Sequence, residues 1–177
     1  MAEIVNMKDF LRTLKLGRIH LGQSANDVVA ILGEPDCVGG ASRKHRWPPI
    51  WKYGDLELLF DYRTRQINFI VIDFWKPEYP SGGAAIQLDP WIIKGALEID
   101  ELIPQLDKEG IGYREVEPIN PGTRELLVNS AITMIFNNDP IECIDEALGL
   151  RKLCINRPPQ SAPPLSSSPD VARDSTA

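Results

Sequence analysis

The pattern of apolar residues predicts an α+β protein: an antiparallel sheet with helices on one face. Three observations carry this expectation. Met7 to Leu16 and Ser24 to Leu32 repeat apolar residues at helical spacing. From Ile50 the apolar period changes to two, as in a half-buried strand. After a break rich in Pro and Gly over 76–83, helix followed by strands occurs a second time. The order fits two tandem helix-plus-sheet modules, residues 1–80 and 81–156, or one sheet continuous through both halves.

The first helix carries Phe10, Leu11, Leu14 and Leu16, and Gly17 stops it. In the second, Ser24 precedes Asp27 by three positions, a capping-box arrangement for the orphan backbone donors. Val28, Val29, Ile31 and Leu32 supply its buried stripe, Gly33 its left-handed cap, and Pro35 prevents continuation. Trp51, Tyr53, Leu56, Leu58 and Phe60 read as strand, interrupted at Gly54-Asp55. A turn over Asp61 to Arg65 then leads into a second, antiparallel strand over Gln66 to Trp75. Asp55, Glu57, Asp61 and Asp73 are expected as exposed charges along strand edges or tips. In the second half, Ala84 to Trp91 reads as a strand. A helix follows through Ile99, Leu102, Ile103 and Leu106, capped near Glu98 or Asp100 and stopped by Gly110. Pro104 opposes that helix, because it removes a backbone hydrogen bond. Gly112–Glu117, Arg124–Asn129, Ala131–Asn137 and Leu148–Ile155 read as strands, with turn chemistry at Asn129-Ser130 and Asn137-Asn138-Asp139. Arg157 to Ala177, rich in Pro and Ser, is expected to be a disordered tail, since it buries too little to offset ordering entropy.

The 177 residues carry 19 Lys and Arg against 25 Asp and Glu, a formal net charge of −6. That balance counts against a surface tuned as a whole to nucleic acid or anionic membrane. No run approaches the roughly 18 apolar residues of a membrane helix. Cys37, Cys143 and Cys154 lack CxxC spacing, so neither a disulfide framework nor a zinc site is expected. With no secretory signal visible, a cytoplasmic location is the expectation.

The stretch Ile19-x-Leu21-Gly22-x-Ser24-x-x-Asp27-Val28-x-x-x-Leu32-Gly33-x-Pro35 resembles the start of the SmpA/OmlA module. That module is a small helix-helix-sheet unit with the fold type of each half of the β-lactamase inhibitor protein. The resemblance implies that the Gly-x-Ser segment starts a helix packed on the sheet and that Leu-Gly-x-Pro ends it. With the Lys52-Tyr53-Gly54-Asp55-Leu56 segment the chain also looks like immunity proteins of bacterial toxin systems. What that likeness implies is a small protein-binding module. The lipoprotein signal of the envelope proteins and the paired cysteines of the secreted inhibitors are both missing from it.

Signs of catalysis are few. His20 lies between Ile19 and Leu21, and His45 lies in Arg43-Lys44-His45-Arg46. No His-x-x-x-His, Gly-x-Ser-x-Gly or phosphate-loop pattern is present. The expectation is therefore a protein that is not an enzyme, with no cofactor and no metal. The most unusual segment runs from Ser42 to Trp51, where Arg43 and Arg46 precede Trp47-Pro48-Pro49-Ile50-Trp51. Trp and Arg dominate interface hot spots, and prolines reduce the entropy lost on binding. Trp75-Lys76-Pro77-Glu78-Tyr79-Pro80 repeats that composition at a strand end. Arg43, Arg46, Trp47, Trp51, Trp75 and Tyr79 are thus the candidate contacts for a partner protein. They would form one patch if both loops fall at the same end of the sheet. The bland alternative is a loop whose tryptophans cover the sheet end while its cations are solvated. Two further alternatives are a small-ligand or enzyme site on the sheet face using His45, and a single-stranded RNA site with Trp47 or Trp51 stacking bases.

Overall fold

Burial alternates residue by residue over Ile50–Tyr53, Leu56–Phe60 and Ile86–Asp89, whereas Ile67–Asp73 and Gly149–Asn156 bury residues of both faces. The computed structural model describes residues 3–75, 78–84, 86–119, 121–137 and 149–156. The segment 157–177, Cys143, Asn138-Asp139 and the Lys76-Pro77 pair lie outside the described residues. Among the described residues the order begins β1 (Glu3–Asn6), α1 (Met7–Thr13), α2 (Ala25–Leu32), β2 (Cys37–Gly39), β3 (Ile50–Tyr53), β4 (Leu56–Phe60) and β5 (Ile67–Asp73). It continues β6 (Ile86–Asp89), α3 (Ile99–Glu109), β7 (Tyr113–Val116), β8 (Thr123–Val128), β9 (Ile132–Asn137) and β10 (Gly149–Asn156). The class is α+β with a mostly antiparallel sheet.

Eight of these strands form one sheet in the order β2-β3-β4-β5-β10-β9-β8-β7. β5 and β10 pair from Asp73↔Lys152 to Phe69↔Asn156, so strands from both halves of the chain share that sheet. One row runs Trp51, Leu58, Ile70, Ile155, Ile132, Val128, Tyr113 across seven strands. All but the half-buried Tyr113 are buried, in one cluster with Phe10, Leu11, Val28, Leu32, Leu102 and Leu106 of the helices. The opposite row runs Lys52, Glu57, Val71, Cys154, Thr133, Leu127, Arg114. Its mixed composition follows from the period of two: neighbours along a strand face opposite sides.

Several expectations are corrected here. The residues Ile50–Phe60 are two strands, because Gly54-Asp55 is a two-residue hairpin turn with Gly54 at φ 61. The first helix ends at Thr13, where Leu14 takes the left-handed cap, and Leu16 and Ile19 form a bridge beyond it. Ser24 Oγ accepts the Asp27 N–H, as a cap should. The Asp27 carboxylate instead accepts the Ser24 hydroxyl at 2.6 Å, being one methylene shorter than the Glu that completes a capping box. In α3 the box is complete, between Glu98 and Glu101. The helix runs through Pro104, whose position is exposed. Two short strands went unread: β2 at the sheet edge, and β1, which pairs in parallel with β6 outside the main sheet. Asp73 is not an exposed edge charge but 6% exposed and paired with Lys152 at 3.2 Å.

Candidate functional site

The β2–β3 connection, residues 40–49, and the β4–β5 turn, residues 61–65, meet at one end of the sheet. Backbone and side chain tie them together: the Phe60 N–H donates to the Pro49 carbonyl at 2.8 Å, and the Tyr62 hydroxyl to the Gly40 carbonyl at 2.9 Å. The Ser42 N–H donates to the His45 carbonyl at 2.7 Å and the His45 N–H returns to Ser42 Oγ, which closes a local turn. The His45 ring lies 4.4 Å from that of Tyr62. Asp61 shapes the second turn by accepting the N–H groups of Arg63 and Thr64 at 2.9 and 2.8 Å. Those backbone donors, with Thr64 first, hold its carboxyl below the usual range.

Three aromatic rings prop this end from below. Trp51 and Phe60 lie 4.7 Å apart, and Trp47 meets Phe60 edge-on at 5.6 Å. The Trp51 indole N–H donates to the Pro48 carbonyl at 3.0 Å, which fixes the loop to its own strand. The Arg65 guanidinium stands 5.4 Å from the centre of the Trp47 ring. On the same two loops, Arg43, Lys44, Arg46, Arg63 and Arg65 are all exposed. Five cations thus crowd one end of a protein whose net charge is −6.

The six expected contact residues do not form one patch. Trp75 and Tyr79 follow β5, while the 40–49 loop precedes β3, and three strand passes separate them. An odd number of antiparallel passes finishes at the opposite end of the strands. The hairpin at Gly54-Asp55 adds the pass that reading β3 and β4 as one strand omitted. Trp51 is 8% exposed and supports the loop from within the core, so it does not offer a contact surface. Arg43 and Arg46 are exposed beside it, with Trp47 half-buried. Arg63 and Arg65 went unread as site residues, although the Arg-Thr-Arg run in a turn was visible. Joining it to the 40–49 loop required the strand pairing.

At the other end, the β3–β4 turn packs on residues 81–83. The Asp55 N–H donates to the Ser81 carbonyl at 2.8 Å, and Asp55 Oδ2 accepts the Ser81 N–H at 2.7 Å. Asp36 accepts the Gly54 N–H at 2.8 Å. Trp75 and Tyr79 are exposed here, and the Arg151 guanidinium lies 4.4 Å from the Trp75 ring centre. Elsewhere, Arg124 bonds Glu115 at 2.7 Å and Asp100 at 3.1 Å, so that cluster is internally paired. No group of three His, Cys, Asp or Glu side chains with metal-binding geometry occurs among the described residues. No helix of the described residues is long and apolar enough to cross a membrane.

Comparison with known proteins adds no relative: no family model, curated protein or solved structure matches the chain.

Proposed function

We propose that this chain is a non-enzymatic protein-binding module whose basic sheet end grips an acidic surface of a partner protein. One observation supports this above all: two loops bonded to each other expose five cations, and a packed aromatic base holds them, with Arg65 over the Trp47 ring. A contact surface of Arg side chains held by a rigid loop loses little entropy on binding. On this reading the 40–49 loop is the contact element, with Arg43 and Arg46 at its tip and Arg63 and Arg65 beside them. On this reading the partner is an enzyme that the module occludes, in the manner of an immunity- or antitoxin-type protein, in keeping with the likeness that Ile19–Pro35 followed by Lys52–Leu56 bears to immunity proteins. The resemblance of Ile19–Pro35 to the SmpA/OmlA module favours two tandem helix-plus-sheet modules with their helices layered on the Trp51–Leu58 face. A cytoplasmic site of action fits the reading.

Single-stranded RNA is the weaker reading. Trp47 packs against Trp51 and Phe60 with Arg65 over it, which leaves it poorly placed to stack a base. The test uses Arg43→Glu with Arg46→Glu, two exposed positions whose change spares the core. A tagged parent chain should retain a stoichiometric acidic protein from native lysate, and the double variant should lose it. Capture unchanged by the variant would sink the site, and capture abolished by ribonuclease would move the function to RNA. Retention of no protein, with a small metabolite raising the melting temperature, would favour a ligand site instead.

A further inference from the structure

We propose that the free edge of β2 accepts an extended acidic segment of the partner protein as an added strand, with its carboxylates against Arg43 and Arg46. This rests on the proposed reading of the basic loop and specifies how the partner is held.

The strand pairing fixes which backbone groups are free. Gly54-Asp55 closes a two-residue hairpin, so Tyr53 and Leu56 face each other as a hydrogen-bonded pair. Such pairs alternate along an antiparallel ladder, so Trp51 also turns its N–H and C=O toward β4. The Pro49 carbonyl does the same and accepts the Phe60 N–H at 2.8 Å. Ile50 and Lys52 therefore turn theirs toward β2, and the Lys52 carbonyl accepts the Asp36 N–H at 2.9 Å. Their partners on β2 are Gly39 and Cys37. Val38, between these two, turns its N–H and C=O outward. Among the described residues β2 pairs with β3 alone, and no other backbone bond reaches Val38, which is 48% exposed. The Cys37 thiol reaches the Val38 carbonyl at 3.8 Å, a weak bond that a backbone donor can displace.

One outward residue offers a pair of backbone bonds, and an edge this short is a guard against stray pairing. Selection of the strand must come from what lies beside it. Past Gly39 the chain enters the 40–49 loop, where Arg43 and Arg46, with Ala41 and Ser42, line a shallow hollow of about 550 Å³. Among the described residues Arg43, Lys44 and Arg46 take part in no ion pair. Carboxylates of the adjoining turn and strands are already engaged: Asp61 by the Arg63 and Thr64 N–H groups, and Glu57 by Lys52. Glu34 and Asp36 precede β2 and flank its other end. The segment that fits thus carries carboxylates where it passes the loop and none where it passes Glu34 and Asp36. Main-chain bonds position such a strand, and the guanidinium groups select its charge. The main sheet pairs antiparallel throughout, and an antiparallel addition brings the N-terminal end of the segment to the loop.

The experiment titrates a fluorescein-labelled peptide of four glutamates followed by Thr-Val-Thr-Val against the full chain, read by anisotropy. The control has the same glutamates followed by Gly-Pro-Gly-Pro, which cannot pair as a strand. The strand peptide should bind about tenfold tighter than the control. Val38→Pro removes the outward N–H at a position where an edge strand tolerates proline, and should erase that gain; Val38→Thr should keep it. Amide hydrogen exchange gives a readout that needs no variant. In the free chain the Val38 N–H should exchange faster than those of Cys37 and Gly39, and the strand peptide should slow it. A Val38 N–H protected in the free chain, or not slowed by the peptide, overturns the added strand, as does absence of binding. Equal binding of both peptides, lost in Arg43→Glu with Arg46→Glu, overturns it too but leaves the basic loop standing as a contact. Binding that the Arg variant does not weaken removes the basic-loop reading as well. A concentration-dependent dimer in sedimentation, abolished by Val38→Pro, would give the edge to a second copy and overturn the partner named here.

Discussion

Tyr53 shows how one side chain serves both packing and polarity. It is buried on β3, and its hydroxyl donates to the Gly33 carbonyl at 2.9 Å, linking the sheet to the end of α2. Replacing it with Phe leaves that carbonyl unpaired and should cost about 1 kcal/mol in denaturant unfolding. Burial pushes its phenol from 10.0 up to about 12, and pushes the Cys154 thiol from 9.0 to about 11. Both raised values favour the neutral form in the folded chain. The stability they contribute is full below the unfolded values and is lost as pH rises through about 11 and about 12. Urea midpoints measured from pH 8 upward should therefore fall steeply on the alkaline side, and less so in Tyr53→Phe. Gly83 has φ 68, and a Cβ there would lie 2.6 Å from Asp36 Oδ2. Gly83→Ala should accordingly cost about 2 kcal/mol or more in thermal unfolding.

Among the elements, α3 and the aromatic loop base behave in opposite ways. The Pro104 position falls inside α3, where its missing N–H costs a helical hydrogen bond. Because the position is exposed, Pro104→Ala should raise stability by about 1–3 kcal/mol, seen as a higher melting temperature. An unchanged melting temperature would mean that the surrounding packing already offsets the loss. Trp51→Ala removes a ring packed on Trp47 and Phe60 and the bond to Pro48, and should cost about 3–5 kcal/mol. For this reason a Trp51 variant reports on the fold as well as on any contact, whereas Arg43 and Arg46 report on the contact. The Ser24–Leu32 helix was legible from residues alone, because cap, stripe and stop are local signals. The Gly54-Asp55 hairpin was only half legible: the turn residues were visible, but the pairing that makes two strands of one run is not local.

Across the whole molecule, the central joint is β5 against β10, where residues distant in sequence pair over five positions. β1 likewise depends on β6 for its pairing. Residues 1–80 alone would leave the outer edge of β5 and all of β1 unpaired, with their core face in water. The chain should unfold in one transition, with equal calorimetric and van't Hoff enthalpies, and the fragment 1–80 should show no dispersed amide spectrum. Two separate transitions would mean that the halves are independent units. Charge is also a property at this scale. Exposed cations gather at the start of β3, whereas at the end of β5 Asp73 is paired with Lys152 and Arg151 lies on Trp75; three strand passes separate the two ends.

The residues by themselves determined the class, the three helices and most strands, because propensity, capping and periodicity act within a few positions. They also determined which segments carry unusual composition, among them the Arg43–Trp51 loop and the Trp75–Tyr79 turn. Tertiary structure alone decided that strands from both halves form one sheet, that Trp51 is core, and that the two loops occupy opposite ends. The physical reason is that strand pairing is non-local. One added turn reverses the chain and moves every later residue to the other end, a change that no local pattern records.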